Sequence, residues 1–389
     1  MLIGLISDVK SDCVLSLNHD FGRPGPVFIR NGHFLEPDVG GNFTFGRSET
    51  VLVACPGDRR RVILNNETSG YDVIEAHCII NSTFRVDRKI LEFKNIRCNS
   101  QPFFTTEETN KTCARENKLY GVGYKIKNVF YPLYSACFDK NLLHTRYVGQ
   151  QLSPKSIYMQ TGLKRPDFVE GVLFGKIRLS AIYKLKNQKT RLDAILGNNM
   201  GDKYLSQNQA LTRGHLAARA DYTTSAETRA TFHYVNTAPQ WRRGNAGDWA
   251  ALEDALRRRV QSYGSKVLVF TGAHGVMTLP DKQGRLKEIY LHTDENNNEQ
   301  LPVPMYFYKL VYDPKKKTAA AFISINSSFY NKTMIDELEF CDDICAGNRQ
   351  FSWLKWRSSD GTHSFCCEYN QFVKEIDYLP KLNVQGLFY

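Results

Sequence analysis

The ten cysteines of this chain are confined to its two ends. Cys13, Cys55, Cys78, Cys98, Cys113 and Cys137 precede residue 138, and Cys341, Cys345, Cys366 and Cys367 follow residue 340. An even set can close entirely into disulfides, and each bridge removes conformations from the unfolded chain. The fold must therefore hold two stapled ends around a long middle that folds by burial alone. N-x-S/T sequons at Asn42, Asn66, Asn81, Asn110, Asn326 and Asn331 leave most of the same middle, residues 111–325, empty. One sequon is a common accident; six beside paired cysteines point to the secretory route. A four-thiolate zinc site is the alternative for the last four cysteines, but the adjacent Cys366 and Cys367 are awkward tetrahedral ligands. Two disulfides of open connectivity are the expectation. Leu2 to Ile6 is too short for the apolar core of a signal peptide, so the expectation for a secreted chain is a leader already removed or trimmed from this sequence. No apolar run approaches the length of a membrane span.

With 389 residues, 42% hydrophobic and 23% charged, the chain has the composition of a globular protein and room for two domains. Its net charge of +11 and pI near 9.1 suit a polyanionic partner. Basic clusters occur at Arg59-Arg60-Arg61, Arg242-Arg243, Arg257-Arg258-Arg259 and Lys315-Lys316-Lys317. The last follows Asp313-Pro314 and reads as a solvated hairpin turn.

Residues 1–140 read as a small disulfide-bonded β domain. Its strands are Val51 to Cys55, Val73 to Ile80, Tyr120 to Tyr124 and Phe130 to Tyr134. Its histidines, His19, His33 and His77, have no evident ligand partners. The boundary is placed after Cys137, and Leu142 to Ser156 reads as a short polar helix and linker. Residues 141–389 form the second domain. There Leu179 to Leu185 reads as a strand with Asn187 to Arg191 as its turn. Lys266 to Gly272, Pro304 to Tyr312 and Thr318 to Ile325 read as further strands. The clearest helix runs from Asp248 to Gln261, with Trp249, Leu252, Leu256 and Val260 as its apolar stripe and Gly264 past its end.

The chemistry collects between Leu211 and Arg257. Asn245, Trp249, Glu253 and Arg257 are spaced by four, so on a helix they share a face. An amide oxygen and a carboxylate on one face suit a hard cation such as Mg²⁺, which takes few protein ligands. Spacing alone favours a plainer surface helix, because Glu–Arg pairs at this spacing are everywhere. His215 follows Arg213-Gly214; an imidazole can take a proton from water near neutral pH, and an arginine can neutralise a phosphoryl oxygen. Gly214 would let the backbone approach a phosphate. His144, His233, His274, His292 and His363 read as structural.

Thr212-Arg213-Gly214-His215, Asn236-Thr237-Ala238-Pro239-Gln240, Asn245 and Trp249…Leu252-Glu253…Arg257 together resemble the DNA/RNA non-specific endonucleases, the ββα-metal nucleases. The register agrees through this stretch, and the core likeness covers roughly 150–340. Cys341-Asp342-Asp343-Ile344-Cys345, Cys366-Cys367 and Tyr378-Leu379-Pro380 are similar to the arthropod branch of secreted nucleases. The resemblance implies an α+β fold: a nuclease domain with a central antiparallel sheet and flanking helices, preceded by the β-rich domain. It implies His215 as general base, Asn245 as direct Mg²⁺ ligand (Mn²⁺ substituting) and Glu253 as holder of a metal-bound water. Arg213 and Arg257 would bind phosphate, with Arg242 and Arg243 as flanking contacts. Asn236 would orient the framework, and Arg191 would stabilise the transition state. Thr212 departs from the Asp that many members carry.

The expected activity is a secreted, Mg²⁺-dependent, sequence-non-specific endonuclease acting on double-stranded DNA or RNA and leaving 5′-phosphates, with no membrane partner and no identifiable protein partner. The alternative is a nucleic-acid-binding protein of the same fold with little or no catalysis. An adhesive glycoprotein fits only residues 1–140.

Overall fold

The computed structural model describes residues 12–357 and 362–389. Two cores organise it. The first belongs to residues 13–98 and is built on phenylalanines: Phe21, Phe28, Phe43, Phe45, Phe84 and Phe93 pack at its centre. A six-stranded antiparallel sheet packs on it, with Lys89–Glu92 and His33–Phe34 at the edges and Thr83–Val86, Val73–Ile80, Thr50–Ala54 and Val27–Arg30 inside. Cys13–Cys78 and Cys55–Cys98 staple this unit.

The second core lies on a large central sheet. Its antiparallel path runs Thr105–Cys113, Asn117–Ile126, Val129–Asp139, His144–Leu152, Val267–His274, Tyr306–Asp313, Thr318–Ile325 and Ser364–Cys367. Gly386–Leu387 adds in parallel to Thr318–Ile325. The sheet crosses residue 140, where a domain break was expected: Val129–Asp139 pairs with His144–Leu152. The change of core comes after Cys98 instead.

Two local expectations are corrected. Leu142 to Ser156 is not a polar helix and linker but contains the strand His144–Leu152, buried in mid-sheet. Its polar side chains misled because the buried ones have partners: His144 Nε2 meets Ala273 O at 3.2 Å, Thr145 Oγ1 donates to Val235 O at 2.6 Å, and Gln150 Nε2 donates to Asp221 at 2.6 Å. Leu179 to Leu185 is not a strand; a helical turn, Leu179–Ile182, leads into a helix, Leu185–Leu196. Short apolar runs do not distinguish the two conformations, and this helix buries Gln188, Leu192 and Leu196.

The helix Asp248–Tyr263 stands as expected, with Trp249, Leu252, Leu256 and Val260 buried and Gly264 left-handed at φ +74°. The hairpin around Lys315 to Lys317 also stands, and Asp313 Oδ1 accepts from the amides of Lys315 and Lys316. The remaining disulfides are Cys113–Cys137, Cys341–Cys367 and Cys345–Cys366. The last two consume the thiols that a zinc site would need. Of the sequons, Asn326 is buried and bonded through its whole amide: Oδ1 accepts from Trp241 N, and Nδ2 donates to Pro239 O and Pro304 O.

Candidate active site

A two-stranded ribbon, Leu211–His215 against Thr237–Trp241, leads directly into the helical turn Arg242–Ala246 and the helix Asp248–Tyr263. This is a strand–strand–helix unit laid over the central sheet. Gln188 seals the ribbon's start by both exchanging an accepted bond from Leu211 N and donating one to Leu211 O. Gly214 has a steric role within the ribbon. A Cβ there would lie 2.3 Å from Gln240 Oε1 across the ribbon.

Thr212, Arg213, His215, Arg242, Asn245 and Glu253 line one cavity of about 460 Å³. Asn245 lies in the helical turn and Glu253 in the following helix, with Gly247 between them. The two are therefore not on one continuous helix, yet they face the same space. Thr212 Oγ1 donates to Gln240 O at 2.9 Å, so its lone pairs face Asn245 Nδ2, also at 2.9 Å. The hydroxyl proton being committed, the amide nitrogen must point at Thr212, which turns Asn245 Oδ1 the other way. Thr212 thus performs an orienting task without a carboxylate.

His215 sits between the rings of Phe168 and Phe232, with centroids at 5.1 and 5.0 Å. Its Nε2 is buried and has no partner among the described residues. Burial, reinforced by the charges of Arg165, Arg219, Arg213 and Lys309, pulls its pKa down to about 3. The imidazole is therefore neutral, with a ring nitrogen whose lone pair is free. Arg213 stacks over Phe168 at 5.0 Å and Tyr183 at 5.8 Å. An arginine backed by aromatic faces loses little freedom when it takes an anion.

Three residues that pattern reading missed complete the site. Arg165 and Arg219 line the cavity, and both guanidinium groups lie over the Phe232 ring, at 5.3 and 6.0 Å. Arg219 Nε is buried without a partner among the described residues. Lys309, 1% exposed, lies beneath Glu253. Its Nζ is 3.7 Å from Glu253 Oε1, 3.0 Å from Thr271 Oγ1, 3.3 Å from Leu216 O and 4.9 Å from the Trp249 ring centre. One buried cation thereby ties the end of the His215 strand to the helix bearing Glu253. Burial raises the Glu253 carboxyl to about 7, with Asp221 adding to the rise and Lys309 and Arg257 opposing it. The same burial lowers Lys309.

Other expected site residues lie elsewhere. Arg191 points away, donating to Tyr290 O at 2.7 Å and pairing with Glu299. Arg257 is 12% exposed and held by Asp221 at 3.0 Å, so its charge is already committed. Arg243 is exposed beside the cavity rather than lining it. Asn236 is buried behind the site: its amide bonds Ala217 N, Ala217 O and Thr231 O, pinning the chain just after His215.

A family model of the DNA/RNA non-specific endonucleases matches residues 114–372. The chain belongs to this family. The nuclease match spans the central sheet from Asn117–Ile126 to Ser364–Cys367, the ribbon and the site helix, and begins after the phenylalanine core ends. Among relatives, a salivary endonuclease of Lutzomyia longipalpis is 30% identical over 339 residues, covering 86% of this chain and 74% of the relative. The salivary protein Tsal2A of Glossina morsitans morsitans is 23% identical over 396 residues, covering 97% and 95%. Among solved structures, one of the EndoG/EndoGI complex matches with a TM-score of 0.40 and 18% identity, over 65% of this nuclease and 87% of that chain. Among the described residues, no helix is long and apolar enough to cross a membrane.

Proposed function

We propose that this nuclease is a secreted, divalent-cation-dependent endonuclease that cuts double-stranded DNA or RNA with little sequence preference. One observation carries the reading. A neutral buried imidazole, an amide oxygen, a carboxylate and four arginines share one cavity. The donor set fits a hard cation, being all oxygen, with one neutral ligand and one carboxylate beside it. Asn245 would hold Mg²⁺ or Mn²⁺ directly and Glu253 would hold it through a water. Such an ion, when bound, supplies positive charge at the reacting phosphate. His215 takes the proton from the attacking water through the ring nitrogen that is not buried, Nδ1. Arg213, Arg165 and Arg219 neutralise the phosphoryl oxygens as charge builds. Departure of the 3′ oxygen leaves a 5′-phosphate.

Disulfides, exposed sequons at Asn42, Asn66, Asn81, Asn110 and Asn331, and salivary relatives support secretion. Digestion of plasmid DNA and long duplex RNA, with and without EDTA, tests the reading, using Asn245→Ala as the variant. EDTA should abolish cutting and Asn245→Ala should need far more Mg²⁺. Salt-sensitive duplex binding without cation-dependent cutting would replace it with the non-catalytic alternative.

A further inference from the structure

The segment 158–169 runs from the N-terminal β unit into the catalytic cavity. At its start the Tyr158 hydroxyl donates to Val39 O, and the Tyr158 ring covers Gly41, where a Cβ would sit 2.7 Å from it. Thr161 donates through N and Oγ1 to Asn18 Oδ1, at 2.8 and 3.1 Å. Arg23 then clamps two successive carbonyls: Nη2 to Thr161 O at 2.7 Å and Nη1 to Gly162 O at 2.9 Å. Gln160 ties the same stretch to Thr223 and Ser225 on the nuclease side. Beyond the clamp, Leu163 O accepts from Arg219, Arg165 reaches the cavity and Phe168 covers His215. Val169 closes the far end by exchanging backbone bonds with Phe232 and Tyr234.

We propose that the N-terminal β unit is a positioning element for the nuclease site: through Asn18 and Arg23 it holds the strap that presents Arg165 to the substrate phosphate. The proposal rests on the nuclease reading above. The bonds that Asn18 accepts and Arg23 donates fall within four residues of Arg165, and the strap's residues 163–165 have no regular secondary structure to hold them otherwise. A planar guanidinium bridging two carbonyls fixes chain direction as well as distance. A clamp at 161–162 and an anchor at 169 leave the intervening residues little freedom, so the Arg165 charge is pre-placed and its ordering cost falls before substrate arrives. The unit thus acts on catalysis without touching nucleic acid.

The test is a double-mutant cycle on the whole chain. Arg165→Ala should weaken duplex binding and reduce the salt slope of log K by about 0.9, one phosphate contact. Arg23→Ala should move the same slope in the same direction and lower kcat/KM about fivefold to tenfold, with the melting temperature little changed because Arg23 is exposed. The double variant should match Arg165→Ala alone. Arg23→Lys, which cannot bridge both carbonyls, should fall between Arg23→Ala and the parent chain. Asn18→Ala gives a second route to the same loosening. Additive effects of Arg23→Ala and Arg165→Ala, or an Arg23→Ala protein with the parental salt slope, would overturn the proposal and leave the nuclease reading intact. An Arg165→Ala protein that binds and cuts like the parent would overturn the proposal too, because the strap would then present no phosphate contact; loss of all cation-dependent cutting by the parent chain is what would overturn the nuclease reading.

Discussion

The two units of this molecule are built on opposite terms. Residues 1–104 contain twelve basic and twelve acidic side chains, so the whole charge of +11 belongs to the remainder. Among the described residues, every buried polar or charged side chain lies at Asp139 or beyond. The N-terminal core is apolar and closed by two disulfides; the nuclease core holds Lys309, Gln188, Asn236, His233 and Thr271 out of water. Burying such groups is costly unless each is bonded. The contrast teaches that one unit is organised for rigidity, while the other accepts desolvation to fix an imidazole, a carboxylate and an ammonium around a cavity.

The sharpest way to break the contrast is a pair of alanines. His215→Ala should cut kcat by on the order of 10³-fold with little change in melting temperature. Phe84→Ala should do the reverse, costing about 3–5 kcal/mol of stability while leaving activity near the parental value below the melting range. Activity assays beside thermal melts read both. A His215→Ala protein that cuts normally would remove the assigned base.

Lys309→Met probes the boundary between the two designs. Removing one partner of a buried pair costs about 3 kcal/mol. That cost falls when the other partner is neutral. Glu253 gains a proton as pH drops through about 7, so melts should show a larger loss at pH 8 than at pH 6. Equal losses at both values would mean that Lys309 does not hold the carboxylate's charge.

The pH profile of kcat/KM sharpens the same point. At limiting Mg²⁺ the acid limb should follow Glu253, near 7; saturating Mg²⁺ favours the carboxylate and should carry the limb to lower pH. His215, held down to about 3, stays neutral throughout. A limb fixed at an ordinary imidazole value of about 6.5 at both concentrations would assign the titration to His215 instead.

The smallest effect is expected on the neutral unit's surface. Replacing Arg59, Arg60 and Arg61 with Gln should leave the salt dependence of duplex binding unchanged, although these residues form an evident basic run. A flatter slope would extend the nucleic-acid footprint onto this unit.

What was legible in the sequence follows from what is local. His215, Asn245 and Glu253 sit in one continuous motif, and the ribbon and helix that carry them are sequential. Arg165 and Arg191 look alike in sequence, both being basic residues upstream of the motif. Only the path of the strap and the docking of the Leu185–Leu196 helix decide that one enters the cavity and the other meets Glu299. Lys309 did leave a signal. It is a single cation inside Tyr306-Phe307-Tyr308-Lys309-Leu310-Val311, a strand buried throughout. A charge in such a run must have a partner. The strand His144–Leu152 was hidden for a related reason, since its polar groups are satisfied by residues about 70 to 130 positions away.

The buried amide of Asn326 carries a consequence for biosynthesis. In any host that attaches oligosaccharide to nascent chains, Asn326-Ser327-Ser328 is a recognisable acceptor until the sheet closes over it. Once Trp241, Pro239 and Pro304 have claimed that amide, no transferase can reach it. A sugar added first would bar the ribbon from docking on the sheet. Yield of active enzyme from such a host is therefore set by a race between glycan transfer and closure of this one corner.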